Sequence, residues 1–141
     1  MNRIAKFLAL RFSDKLLLIK AVLFLGIFRL ALLTLKFPLL ARWLGRPSTE
    51  SVDPDPQNRA ALQVVGWAVR TAAGLVPWEA NCLPQAITAK FLLRSRGVGS
   101  TLYLGLRQDD ALRAHAWLKV GSVFVVGEDG AARHSVVATF T

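Results

Sequence analysis

The sequence predicts an α+β fold: a helical N-terminal arm, then a helix that opens on the chain's one cysteine and faces an antiparallel sheet. Three observations predict it. Apolar residues recur at helical spacing as far as Arg96, the period changes from 3.6 to 2 after Gly97, and the first third of the chain differs sharply in charge from the rest. Hydrophobic residues make up 53% of the 141, and the mean hydropathy of +0.40 excludes a disordered, solvated chain. That length suits one domain with a modest extra segment.

Eighteen Lys and Arg against nine Asp and Glu give a net charge of +9. Residues 1–46 hold nine of those bases and one acid, Asp14, so +8 sits in the first third and +1 in the remainder. These bases are interleaved with Leu and Phe, without the polar and aromatic residues that read phosphates and bases, so no nucleic-acid partner is expected. A single cysteine excludes an intramolecular disulfide and a Cys-rich metal site, and it fits a reducing, cytoplasmic compartment. Two histidines 19 residues apart with one cysteine match no common ligand spacing, and no metal or other cofactor is expected. The chain has no Gly-rich phosphate loop and no Gly-x-Ser-x-Gly elbow.

Residues 1–46 read as helix throughout, with no Gly or Pro before Gly26. Ser13 is the expected N-cap of a helix from Asp14 to about Thr34. Pro38 interrupts or restarts the pattern, and Leu39–Leu44 forms a further short piece ending at Gly45. The window Leu16–Leu35 has the ~20 residues of a bilayer span. It also holds Lys20 and Arg29, each costing roughly 2.5–3.5 kcal/mol near the centre of a span. A signal peptide fits poorly, because no small-residue cleavage site follows an apolar run of suitable length. Packing on the domain or on a partner protein is the expected fate of this arm. The alternative is contact with an anionic membrane surface at the inner face. Residues 47–58, PSTESVDPDPQN, combine three prolines with three acids and read as a linker, which puts the boundary there and the domain at 59–141.

Within the domain, Leu62, Val65, Val69, Ala72 and Ala73 repeat at helical spacing from Arg59 to about Leu75. A turn follows, and Asn81 caps a second helix in which Pro84 is tolerated because the first turn has no internal use for its N–H. Gly97 closes that helix behind Arg94 and Arg96. Ser100–Arg107 and Ala114–Val120 then alternate as strands. Gly121-Ser122 reads as a two-residue hairpin turn of the II′ kind before Val123–Val126, and Ser135–Phe140 adds a last strand.

Cys82 is thus the first residue of a helix, where the macrodipole and free backbone N–H groups favour a thiolate over a thiol. The plain reading of a lone cysteine is a small buried hydrophobe. His115 opens a strand, where a histidine is more often structural than catalytic, and His134 falls in an exposed turn with no role assigned. Cysteine, histidine and a following acid nevertheless make a nucleophile, base and orienter set.

That order resembles the transglutaminase-like and papain-like cysteine enzymes. The local words are more specific: Pro77-Trp78, Cys82-Leu83-Pro84-Gln85-Ala86, Leu93-Arg94-Ser95-Arg96-Gly97, Leu104-Gly105-Leu106 and Ala114-His115-Ala116-Trp117-Leu118. Together they are similar to the stand-alone B protein of lasso-peptide biosynthesis, the leader peptidase. The resemblance implies cleavage between the leader and core of a ribosomally made precursor peptide, beside a leader-recognition protein and an ATP-dependent lasso cyclase. It makes Cys82 the nucleophile and His115 the base. Its third member is an Asp a dozen or so residues after the His, which here selects Asp129, with Glu128 as the alternative acid. The oxyanion would rest on the Cys82 N–H with the Gln85 side chain, and Trp78 is a candidate groove wall. A different reading keeps the fold and makes it a non-catalytic module that binds precursor or partner through the arm.

Overall fold

The computed structural model describes residues 2–44, 54–78 and 80–141. Five helices come first: α1 (Arg3–Leu8), α2 (Phe12–Thr34), α3 (Phe37–Leu44), α4 (Arg59–Leu75) and α5 (Cys82–Arg94). Four strands follow: β1 (Thr101–Gln108), β2 (Leu112–Val120), β3 (Val123–Val126) and β4 (Ser135–Phe140). They form one antiparallel sheet in the order β3-β2-β1-β4, so the last strand returns to the far side of the first. The α+β expectation holds, with helices preceding the sheet.

The arm is not helical throughout. α1 ends at Leu8, whose carbonyl accepts a hydrogen bond from Lys15 Nζ at 2.9 Å, and the chain turns before restarting at Phe12. Ser13 is therefore inside α2 instead of capping it, and the cap position falls to Arg11, which makes no side-chain cap bond. α3 starts at Phe37 with Pro38 second, so the proline restarts the helical pattern, because the second position of a helix needs no N–H partner. Gly45, the expected stop, and residues 47–53 of the Pro/Asp segment lie outside the described residues.

The packing has three layers. α4 and α5 lie on the sheet, and α2 lies across α4 and α5. Leu17, Leu18, Ala21, Leu25 and Phe28 of α2 are buried in the same core as Leu62, Val65 and Val69 of α4, Ile87 and Leu93 of α5, and Leu102 and Leu118 of the sheet. Phe28 meets Phe91 of α5 with ring centroids 5.0 Å apart. Truncating a fully buried Leu such as Leu25 to Ala costs about 2–5 kcal/mol, so one face of the arm contributes to the stability of the whole.

α5 ends as its sequence predicts. Val98 N–H donates to Leu93 O and Gly97 N–H to Arg94 O, both at 3.0 Å, with Gly97 at φ +74, a conformation that only glycine enters cheaply. This cap turns the chain straight into β1, whose pairing with β2 sets Gly105 opposite His115 and Tyr103 opposite Trp117. Both pairs matter for the site.

Candidate active site

Cys82 opens α5 with Asn81 at the cap position, extended at ψ −176. The expected capping bond is absent, since the Asn81 side chain accepts nothing from the helix. Pro84 removes a third donor. The N–H groups of Cys82 and Leu83 are consequently left without a capping side chain among the described residues, beside a thiol that is partly exposed. An open helix start of this kind is suited to receiving negative charge.

Cys82, Gln85, His115, Glu128 and Asp129 line one cavity of about 530 Å³, together with Arg70 and residues 124–127. Cys82 and Asp129, 47 positions apart in sequence, are thus brought to one cleft by α5, the β2–β3 hairpin and the loop after β3. No group of three or more His, Cys, Asp and Glu is close enough to hold a metal ion among the described residues.

The orientation of His115 follows from hydrogen bonding. Its Nε2 lies 2.8 Å from Gly127 O. A carbonyl oxygen only accepts, so Nε2 carries the proton and the lone pair of the neutral ring is on Nδ1. The ring is held further by Trp117, stacked at 5.7 Å between centroids, which in turn stacks on Tyr103 at 5.6 Å. Across the sheet there is room for this stack only because residue 105 is glycine. A Cβ there would stand 2.7 Å from the Trp117 ring and 2.8 Å from His134 Cβ.

Gly127 supplies the acceptor in a left-handed conformation, φ +82, and its own Cβ would lie 2.6 Å from Ala116 O. The ring N–H that an acidic orienter would take is therefore already given to a main-chain carbonyl. Asp129 and Glu128 reach the cleft, yet neither is hydrogen-bonded to His115 in this structure.

Two further expectations have a definite outcome. The Gln85 amide donates to Ala80 O at 2.7 Å, so one of its two donors is committed to holding the turn before Cys82. Trp78 does not line the cavity; a Cβ at Gly26 of α2 would meet its ring at 3.2 Å, which places it against the arm.

Sequence reasoning missed two residues. Arg70 on α4 borders the cleft and donates from Nη1 to Val125 O at 2.9 Å, tying α4 to β3. Nothing in the local sequence marks that base. His134 packs its ring 5.2 Å from that of His115 and bonds Gly130 O through Nδ1 at 2.6 Å. Its neighbourhood is set by β4 returning beside β1, a long-range pairing that local patterns do not reveal.

Residues 25–140 match the family model of the transglutaminase-like superfamily. The chain belongs to that superfamily. No curated protein and no solved structure matches it. The matched region begins inside α2, so the transglutaminase-like unit includes the second half of that helix with the two helices and the sheet it covers. A transglutaminase-like fold is compatible with cysteine peptidase chemistry, and Cys82 and His115 line one cleft.

Proposed function

We propose that this protein is a cysteine endopeptidase that removes the leader from a ribosomally made lasso precursor peptide, working in the cytoplasm with a leader-recognition protein and a lasso cyclase. One observation carries the reading: Cys82, at a helix start without a side-chain cap, shares a cleft with His115, whose Nε2 donates to Gly127 O. The words around Cys82 and His115 supply the substrate class.

In this reading the thiol proton passes to His115 Nδ1 and the thiolate sulfur attacks the scissile carbonyl carbon. The oxyanion is held by the N–H groups at the start of α5. Collapse of the tetrahedral species breaks the C–N bond, and the imidazolium returns its proton to the departing amine of the core peptide. Water, deprotonated by the same ring, then hydrolyses the thioester to free the leader carboxylate and regenerate the thiol. In this reading Asp129, with Glu128 as the alternative acid, stabilises the imidazolium, since both line the cleft.

The test is co-expression with a lasso precursor peptide, and mass analysis of that peptide. Cleavage at one bond by the wild type, absent with Cys82→Ala, is the expected result. Specific peptide binding with no cleavage by either form would replace the peptidase by a binding module.

A further inference from the structure

α2 has two apolar faces, and the domain covers one of them. Leu17, Leu18, Ala21, Leu25 and Phe28 are at most 8% exposed. Phe12, Leu16, Ile19, Leu23, Ile27 and Leu30 are 43–81% exposed. At 100° per residue those six side chains fall within an arc of about 80°, along a helix about 35 Å long. A bare stripe of this size on a monomer marks a surface that something else covers.

The charge beside the stripe selects the occupant. Lys20 projects about 80° round the helix from Phe12, at the edge of the stripe, and is exposed. Arg11 precedes the helix and Lys36 follows it, both exposed, and Asp14 is the helix's one acid. A groove on an ordinary protein partner offers no reason for bases to frame an apolar face at both ends and along its side. An anionic lipid surface does, because alkyl stems lie along the acyl boundary while ammonium and guanidinium groups meet headgroup phosphates. We infer that α2 lies in the plane of an anionic membrane surface, with the Phe12–Leu30 stripe immersed and the domain held on the water side.

Spanning is a different arrangement, and the packing opposes it. By length and composition α2 would cross a bilayer, at a mean hydropathy of 2.4. Its inner face, however, is sealed against α4 and α5, whose polar and charged residues would have to enter the hydrocarbon with it. This inference does not depend on the peptidase reading.

Flotation of the full chain with extruded vesicles tests it. The protein should float with phosphatidylglycerol–phosphatidylcholine vesicles and stay behind with phosphatidylcholine alone. Raising NaCl from about 0.05 to about 0.5 M should weaken binding about tenfold or more, since screening shortens the reach of each base. The double variant Leu23→Glu/Ile27→Glu should lose flotation while keeping its circular dichroism and the rate at which iodoacetamide labels Cys82. Equal, salt-independent binding to both vesicles would overturn the inference, as would flotation of the double variant like wild type. A lipid-indifferent protein that sediments as a dimer, and as a monomer once Leu23 and Ile27 are replaced, would overturn it too by making a second copy the cover.

Discussion

His115 and His134 make a natural comparison. His115 stands on β2 and His134 just before β4, with their rings 5.2 Å apart, and each gives one nitrogen to a glycine carbonyl of the loop between β3 and β4. The nitrogens differ. His115 donates through Nε2 and keeps Nδ1 for an incoming proton, whereas His134 donates through Nδ1 and keeps Nε2. His115 also lines the cleft that holds Cys82, and His134 does not. Residue type says nothing about which of the two is a base. The choice of nitrogen and the choice of cavity do.

The sharpest way to break this comparison is to delete each ring in turn. His115→Ala should lower kcat/KM for precursor cleavage by about three orders of magnitude or more, as should Cys82→Ala, and the double variant should be no worse than either alone. His134→Ala should cost less than about tenfold. A comparable loss at His134 would mean that the two rings act together and that the contrast between them is false.

Lys90 extends the comparison to a third base held by a main-chain carbonyl. Its Nζ donates to Ser100 O at 2.5 Å while the residue is 2% exposed. Burial, and then the nearby Arg94 charge, lowers its pKa from 10.5 to about 8. The folded form gives up this proton first, so between pH 8 and 10.5 the unfolded chain binds more protons and folding stability rises with pH. The contribution is fully present above the unfolded value and is lost as pH falls through the folded one. Urea unfolding across that window should show wild type gaining up to about 3 kcal/mol relative to Lys90→Met, at about 1.4 kcal/mol per pKa unit. Parallel curves would show that Lys90 stays as solvated as an ordinary lysine.

Gly105→Ala probes the space that both histidines share. Its added Cβ would press on the Trp117 ring and on His134 Cβ, so about 1–3 kcal/mol of stability should go, with a fall in kcat as the His115 stack shifts. Thermal unfolding and cleavage kinetics on one preparation separate the two effects. The smallest change belongs to the acids. With the Nε2 proton already given to Gly127 O, Asp129→Asn and Glu128→Gln should each alter kcat by less than about tenfold. Loss of three orders at one of them would make that acid the orienter.

The legible parts of this molecule were those with local causes. Asn81 and Pro84 mark where α5 must begin, and Gly97 where it must end, so Cys82 could be placed at a helix start from sequence. Period-2 alternation found β1 and β2, Gly121-Ser122 found the hairpin into β3, and the run Ser135–Phe140 gave β4. The start of α2 was legible to within two residues, expected at Asp14 behind Ser13 and found at Phe12, while the bond from Lys15 back to Leu8 O was not. The two-faced burial of α2 was hidden as well. Apolar side chains run almost around the helix, and only the docking of α4 and α5 decides which of them are covered. Arg70, His134 and the Gly127 acceptor are long-range or main-chain features, invisible to side-chain patterns.

The carbonyl of Gly127 has a consequence for how activity responds to acid. A carboxylate orienter loses its grip once it is protonated, so an enzyme relying on one has a third ionisation in its acid limb. A peptide oxygen has no such ionisation at working pH. The His115 ring should keep its alignment for as long as the loop keeps its shape. The same arrangement moves the vulnerability from side-chain chemistry to the backbone. Any residue with a Cβ at position 127 would collide with Ala116 O and tilt the carbonyl away, freeing the ring without touching a single ionisable group.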